Sequence, residues 1–256
     1  MLLSSVAYEP APVAAIELGT FRPVELTPPY ELELPYELEV PPSRNGVVSR
    51  AVNIAFAILG LVLAAPVLIA AAVLIKLDSP GPILHTQTRV GLDRRWRSTR
   101  ALHEARREDL GGRVFTIYKL RTMHEGAERE SGAVWATRDD PRITTVGSFL
   151  RKYRLDELPQ LWNVILGDMN IVGPRPERPA IVADLRQDIP EYQLRHRVKP
   201  GITGLAQINQ SYDSSLEDVR SKVAWDLHYI QRQSLWLDVK VMALTIPTVL
   251  LKVRGW

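Results

Sequence analysis

Two neighbouring carboxylates, Asp156 and Glu157, stand in "RLDELPQLWNVILGD" (residues 154–168), with bases on either side. Arg151 and Arg154 precede the pair by about a turn, and "GPRPERP" (173–179) brings Arg175 and Arg178 on a proline-stiffened backbone. "RHRVKPGITG" (195–204) adds Arg195, Arg197 and Lys199 ahead of a Gly-Ile-Thr-Gly turn suited to cradling phosphate through backbone amides. Acids that can hold Mg2+ and bases that can hold phosphoryl oxygens are what phosphoryl transfer requires. A carboxylate kept anionic by a helix N-terminus and nearby arginines can attack phosphorus. A second acid can share the metal that neutralises a leaving diphosphate. The plain structural alternative makes Asp156 an N-cap and Glu157 a residue favoured by the helix dipole.

The elements that must position these groups follow from local chemistry. Pro159 is tolerated only in a first helical turn, so a helix starts at about Asp156 and ends at Leu166, with Gly167 as its C′ residue. A preceding helix runs from near Gly147 through "SFLRKYR". Farther upstream, "ILHTQTRVG" and part of "GRVFTIYKLRTM" alternate apolar and polar residues and read as strands. The Arg-rich stretch between them is too long for a tight hairpin. It reads as a solvated loop with a short helix, or as a contact for lipid headgroups. Near the C-terminus, "ALTIPTVLLKV" is apolar, interrupted by proline and flanked by Trp236 and Trp256. A helix in a membrane interface fits it, as does a packed core helix.

Ala51 to Ile75 is a run of 25 residues without a charge. At ~1.5 Å per residue such a helix exceeds a ~30 Å hydrocarbon core, so a membrane segment is expected over a buried core helix. Pro66 lies mid-segment, where it removes a backbone hydrogen bond and kinks the helix. Arg44 and Arg50 precede the run, and Lys76 and Arg89 follow it. Basic flanks on both sides draw both ends to the cytoplasm. A re-entrant helix, broken at Pro66, satisfies both facts; a kinked straight span is the alternative.

Composition bounds the rest. Hydrophobic residues make up 46% of the chain and charged ones 24%, and there is no cysteine. Disulfides, thiolate metal sites and a cysteine nucleophile are thereby excluded. Residues 1–43 hold seven acids, one base and eight of the 19 prolines, a composition expected of a disordered tail. The remaining residues carry 31 bases and 22 acids, a basic body suited to anionic lipid, nucleic acid or phosphorylated substrates. The five histidines show no metal spacing, "RDDPR" (138–142) reads as a turn, and Asp226 and Asp238 read as solvated acids, with Asp226 facing the site as the alternative.

"YKLRTM" (118–123), "DDPRITTVGSFLRKYRLDELPQLWNVILGDMNIVGPRPERP" (139–179) and "RHRVKPGITGLAQIN" (195–209) resemble the signature blocks of the bacterial sugar transferase family. These are monotopic phosphoglycosyl transferases, and the resemblance covers about residues 45–256. It implies transfer of a sugar 1-phosphate from a UDP-sugar to polyprenol (undecaprenyl) phosphate with release of UMP, an early step in exopolysaccharide synthesis. Asp156 would be the nucleophile of a covalent aspartyl intermediate. Glu157 would be its partner in placing Mg2+, and both acids would be the metal ligands. Arg175 would contact nucleotide or phosphate, and Arg151 or Arg154 the carrier phosphate. Lys119 and Arg121 fall at family positions too, though a structural role at the sheet edge fits each equally. The chain departs from the pattern at the insertion 94–108, at Leu205 where Trp is frequent, and in lacking the extra membrane helices of longer members. It is therefore expected to be the compact form.

The expected fold is α+β, with a small β-hairpin or sheet, several amphipathic interfacial helices and a re-entrant membrane helix kinked at Pro66. The expected division is a tail over 1–43, a membrane helix over 44–77 and a catalytic domain over 78–256 on the cytoplasmic face of the inner membrane. Membrane lipids are expected partners, nucleic acid is not, and a homo-oligomer is left open. The rivals are a catalytically inactive, membrane-anchored nucleotide-sugar-binding module and a nucleic-acid-binding protein. The latter lacks a helix-turn-helix or an aromatic RNA platform.

Overall fold

A computed structural model of the chain describes residues 46–94, 109–127, 140–210 and 215–251. The acidic tail, all but the first residue of the 94–108 insertion, Arg138 with Asp139, and Trp256 lie outside the described residues.

The apolar run forms α1, Val47–Asp78, a single helix of 32 residues that is helical on both sides of Pro66. It is the described helix long and apolar enough to cross a membrane. Only one stripe of it is buried: Ala57, Ala64, Ala71 and Ile75 face the protein, while Leu59, Val62, Leu63, Ile69 and Leu77 are exposed. Small residues on that stripe let a partner approach closely. A Cβ at Gly60 would come within 3.1 Å of Leu161, and Ala57 is fully buried.

Both ends of α1 are fastened to the same globular body. At its start Arg50 donates to the carbonyls of Val164 (2.5 Å) and Ile165 (2.7 Å), and the Asn53 amide oxygen accepts from the Ile171 amide at 2.7 Å. At its end the Arg121 guanidinium donates to the carbonyls of Ser79 (2.6 Å) and Pro80. The Asp78 carboxylate accepts from the Val146 amide at 3.0 Å. The same guanidinium reaches the Ile75 carbonyl in the last turn of α1 at 3.3 Å, where helix carbonyls need partners from outside the helix.

The expected strands form as β1, Leu84–Val90, and β2, Val114–Leu120, paired antiparallel with Leu84 opposite Leu120. Next comes α2, Thr145–Lys152, whose N-cap Thr144 accepts from the Gly147 amide at 3.0 Å. Gly147 itself is indispensable, because a Cβ there would lie 2.0 Å from the Thr122 carbonyl oxygen. The helix expected from Asp156 begins later. Leu155–Glu157 is a 3-10 turn and α3 spans Gln160–Leu166, because Pro159 occupies the N-cap rather than the first turn. Gly167 closes α3 with φ 93°, as expected of a C′ glycine.

A second sheet was not foreseen. Residues Asn170–Val172 (β3) pair in parallel with Gly201–Thr203 (β4). The "GITG" stretch is thus mostly a strand and not a phosphate-cradling turn, and the Gly201 amide is taken up by the Pro174 carbonyl at 2.9 Å. The rest is helical: α4 (Pro179–Asp188), a 3-10 segment (Pro190–Arg197), α5 (Leu205–Asn209), α6 (Leu216–Arg232) and α7 (Leu235–Leu251). The main apolar core joins Val172, Val182, Tyr192, Leu205, Tyr229 and Val241. As the sequence leads one to expect, α7 carries Pro247 inside it, and Trp236 at its start is 77% exposed.

Candidate active site

Asp156 and Glu157 are both buried, at 7% and 6% exposure, and neither caps a helix through its side chain. The turn that holds them starts at Arg154, the one non-glycine residue with positive φ (57°) among those described. Such a conformation costs on the order of 1–3 kcal/mol and is retained where the surroundings enforce it.

The two acids live in different electrostatic conditions. Glu157 is gripped from three elements. Arg175 donates to both its oxygens at 2.5 and 3.1 Å, Lys119 of β2 lies at 3.2 Å, and Arg154 is at 3.8 Å. Burial alone would push its carboxyl up, but the charges of Arg175, Lys119 and Arg154 outweigh that and hold it well below the ordinary glutamate value. Asp156 has no hydrogen bond or ion pair to any described side chain. Its carboxyl is pushed up, first by burial and then by the adjacent charge of Glu157, against a smaller opposing pull from Lys119, Arg151 and Arg175. The expectation that helix dipole and arginines dominate at Asp156 is therefore corrected. Desolvation wins there because the bases are spent on its neighbour.

The arms that deliver these bases are braced by neutral groups. The Asn163 side chain, fully buried in α3, accepts from the Tyr118 amide at 3.1 Å and donates to the Thr116 carbonyl at 2.7 Å. It acts as a substitute strand along the β2 edge, setting the height of Lys119 against Glu157. Arg151 is anchored by its Nε to the Thr122 hydroxyl at 2.9 Å.

Of the anticipated residues, Asp156, Glu157, Lys119, Arg151, Arg154 and Arg175 converge. Arg121 does not: its guanidinium clamps the end of α1, as described above. Lys199 sits at the far end of α3, where its ammonium and the Arg50 guanidinium flank Gly167 (3.9 and 3.2 Å from its Cβ position). Burial and the charges of Arg50 and Arg94 push that ammonium down. Arg197 is half-buried on the 3-10 segment.

Two acids read as solvated are in fact buried. Asp226 is paired with Arg195 at 2.6 Å, and Asp238 accepts from the Tyr229 hydroxyl at 2.9 Å. Glu177 was overlooked as well; it is half-buried between Arg89 (3.0 Å) and Lys222 (3.5 Å), and its carboxyl is lowered to about 2 because these cations outweigh desolvation. Helical spacing of Asp226 gave no sign of its burial, since its partner lies 31 residues away.

Among the described residues there is no cluster of three or more metal-binding side chains. A buried carboxylate without a partner nevertheless favours a cation beside it. Mg2+ commonly binds through one or two carboxylates, with water and substrate phosphate completing its shell. Asp156, with Glu157 adjacent, fits that donor set.

Residues 44–252 match the family described as bacterial sugar transferase. The chain is 42% identical over 203 residues to a UDP-N-acetylgalactosamine-undecaprenyl-phosphate N-acetylgalactosaminephosphotransferase of Aeromonas hydrophila, covering 79% of this chain and 44% of the relative. It is 43% identical over 204 residues to a UDP-glucose:undecaprenyl-phosphate glucose-1-phosphate transferase of Escherichia coli K12, covering 79% and 40%. It is 35% identical over 215 residues to the exopolysaccharide production protein PSS of Rhizobium leguminosarum bv. phaseoli, covering 82% and 98%. The chain thus spans less than half the length of the first two relatives.

Proposed function

Because this chain belongs to the bacterial sugar transferase family, we propose that it transfers a sugar 1-phosphate from a UDP-sugar to polyprenol phosphate and releases UMP. The observation that carries this reading is the buried carboxylate of Asp156, with no side-chain partner among the described residues, beside a Glu157 held ionised by three bases. In the first step an Asp156 oxygen bonds to the phosphorus that bears the sugar. The diphosphate bond breaks and its electron pair leaves with UMP. In the second step an oxygen of the acceptor phosphate attacks the same phosphorus, and the Asp156 carboxylate is regenerated.

The chain's own residues divide the work. Burial leaves the Asp156 carboxylate poorly solvated, which raises its nucleophilicity once its proton is lost. Glu157, with Lys119 and Arg175 fixed upon it, keeps two cations close to the incoming phosphates. Arg151, one turn ahead, is placed for the carrier phosphate. When bound at the two acids, Mg2+ supplies charge neutralisation for the departing phosphate.

The enzyme would act at the cytoplasmic face of the inner membrane, with α1 re-entering that face. What supports this topology is that both ends of α1 are tied to one globular body while its outer stripe is apolar and exposed. The α2 and α3 side chains Phe149, Trp162 and Leu166, each at least half exposed, with Trp236 of α7, would extend the contact with lipid. An acceptor phosphate at headgroup height then meets the dyad while its chain stays in hydrocarbon.

A panel of UDP-sugars incubated with the membrane-reconstituted protein, polyprenol phosphate and Mg2+ tests the activity through UMP release. Donor labelled in the β-phosphate, given without acceptor, should leave label on Asp156. Nucleotide binding without turnover of any donor would favour a membrane-anchored binding module instead.

A further inference from the structure

The segment Pro174–Glu177, which carries Arg175, cannot pair with itself as a strand, because Pro174 and Pro176 have no amide hydrogen. Its carbonyls are its main handles, and every one of the four is held. The Pro174 oxygen accepts from the Gly201 amide at 2.9 Å, and the Glu177 oxygen from the Val90 amide at 2.9 Å. The Pro176 oxygen accepts from Arg89 at 3.1 Å. The Arg175 oxygen accepts from Nη2 of Arg195 at 3.0 Å.

That last donor is different in kind from the others. Arg195 is 1% exposed, and each edge of its guanidinium is occupied. Its Nε and Nη2 bond the Asp226 carboxylate of α6 at 2.9 and 2.6 Å, and its Nη1 bonds the Tyr192 hydroxyl at 2.7 Å. A planar fork fixed on two sides can place the second Nη2 hydrogen in one direction only, and here that direction is the backbone of Arg175. Lysine, with a single ammonium on a flexible stem, could not hold the carboxylate, the hydroxyl and the carbonyl together. A buried ion pair of this sort contributes little net stability compared with apolar packing. Its use lies in setting geometry.

Resting on the proposed activity, we infer that Arg195 and Asp226 form a buried positioning pair that sets the reach of Arg175 to Glu157 and to substrate phosphate. They touch neither substrate nor the reacting atoms. If Arg175 shifts, Glu157 loses its closest cation and the substrate phosphate loses the guanidinium held toward it.

The test is a double-mutant cycle on the full chain in nanodiscs. Asp226→Asn keeps the shape and removes the charge, and it should lower kcat/KM about 100-fold, the scale of a small misplacement of a substrate-orienting group. The donor KM should rise along with the fall in kcat, because Arg175 meets the substrate phosphate. Arg175→Ala should lose more, and adding Asp226→Asn to it should cost little further, because the pair acts through Arg175. Additive losses, or an unchanged donor KM in Asp226→Asn, would overturn the inference. If Asp226→Asn does not fold, Tyr192→Phe, which removes one hydroxyl behind the guanidinium, enters the same cycle with a smaller loss and the same criterion. The cycle is also read on UDP affinity by titration calorimetry. A chain that binds UDP without turnover would then reject the proposed activity and still decide the positioning role.

Discussion

At the scale of single residues, the site pairs two adjacent acids whose proton affinities are driven apart. Glu157 is depressed, so its ion pairs stabilise the fold fully above the ordinary glutamate value of 4.5 and lose that effect as pH falls through its lowered value. Replacing it by Gln removes the acceptor of half-buried bases and should cost about 1–3 kcal/mol. The stability gap between wild type and Glu157→Gln, followed by thermal unfolding, should be constant between about pH 5 and 8 and shrink below that. A gap that widens with acid would contradict the assignment. Asp156 is shifted the other way, so its ionised form destabilises the fold at neutral pH and the strain is relieved as pH falls. Asp156→Asn should therefore abolish turnover and raise Tm by about 2–4 °C, the effect of about 1 kcal/mol in a domain of this size. An unchanged or lower Tm at pH 8 would show that burial is not what sets this group.

At the scale of elements, polar side chains at the two ends of α1 fasten an otherwise apolar helix. Asn53→Ala leaves the Ile171 amide without its acceptor and should cost about 1–3 kcal/mol. Denaturant unfolding in a fixed detergent measures this, and no change would mean that the bond to β3 carries no weight. Arg121→Lys separates two roles. As a clamp on the α1 end, Arg121 should lower Tm when replaced and leave the donor KM where it was. A raised KM at unchanged Tm would return it to the substrate site. The α3 start shows how a local rule can mislead by a few residues. Pro159 was correctly tied to the helix beginning, but an N-cap placement was as permissible as a first-turn one, and the cap put both acids on a tighter turn.

At the scale of the whole molecule, one question is which side of a bilayer each end occupies. Tags placed at the two termini should report the same side. Pro66→Leu, by restoring the missing helical hydrogen bond, should straighten α1 and shift part of the population toward opposite sides. Opposite sides in the unmodified protein would reject the re-entrant topology. The catalytic consequence is direct, because α3, which follows the acids, packs on α1 through Leu161 at Gly60. Membrane attachment and dyad placement share one interface.

The amino-acid order alone determined the apolar helix, the two strands β1 and β2, the adjacent acids and the proline-bounded arginine, since each depends on spacings of a few residues. It could not show that Lys119 reaches Glu157 across 38 positions, that Arg121 is spent on α1, or that Asp226 is buried against Arg195. Such contacts join segments whose separation the chain does not constrain. Burial, which decides whether a carboxylate is solvated, paired or exposed to attack, is a property of all those segments packed together.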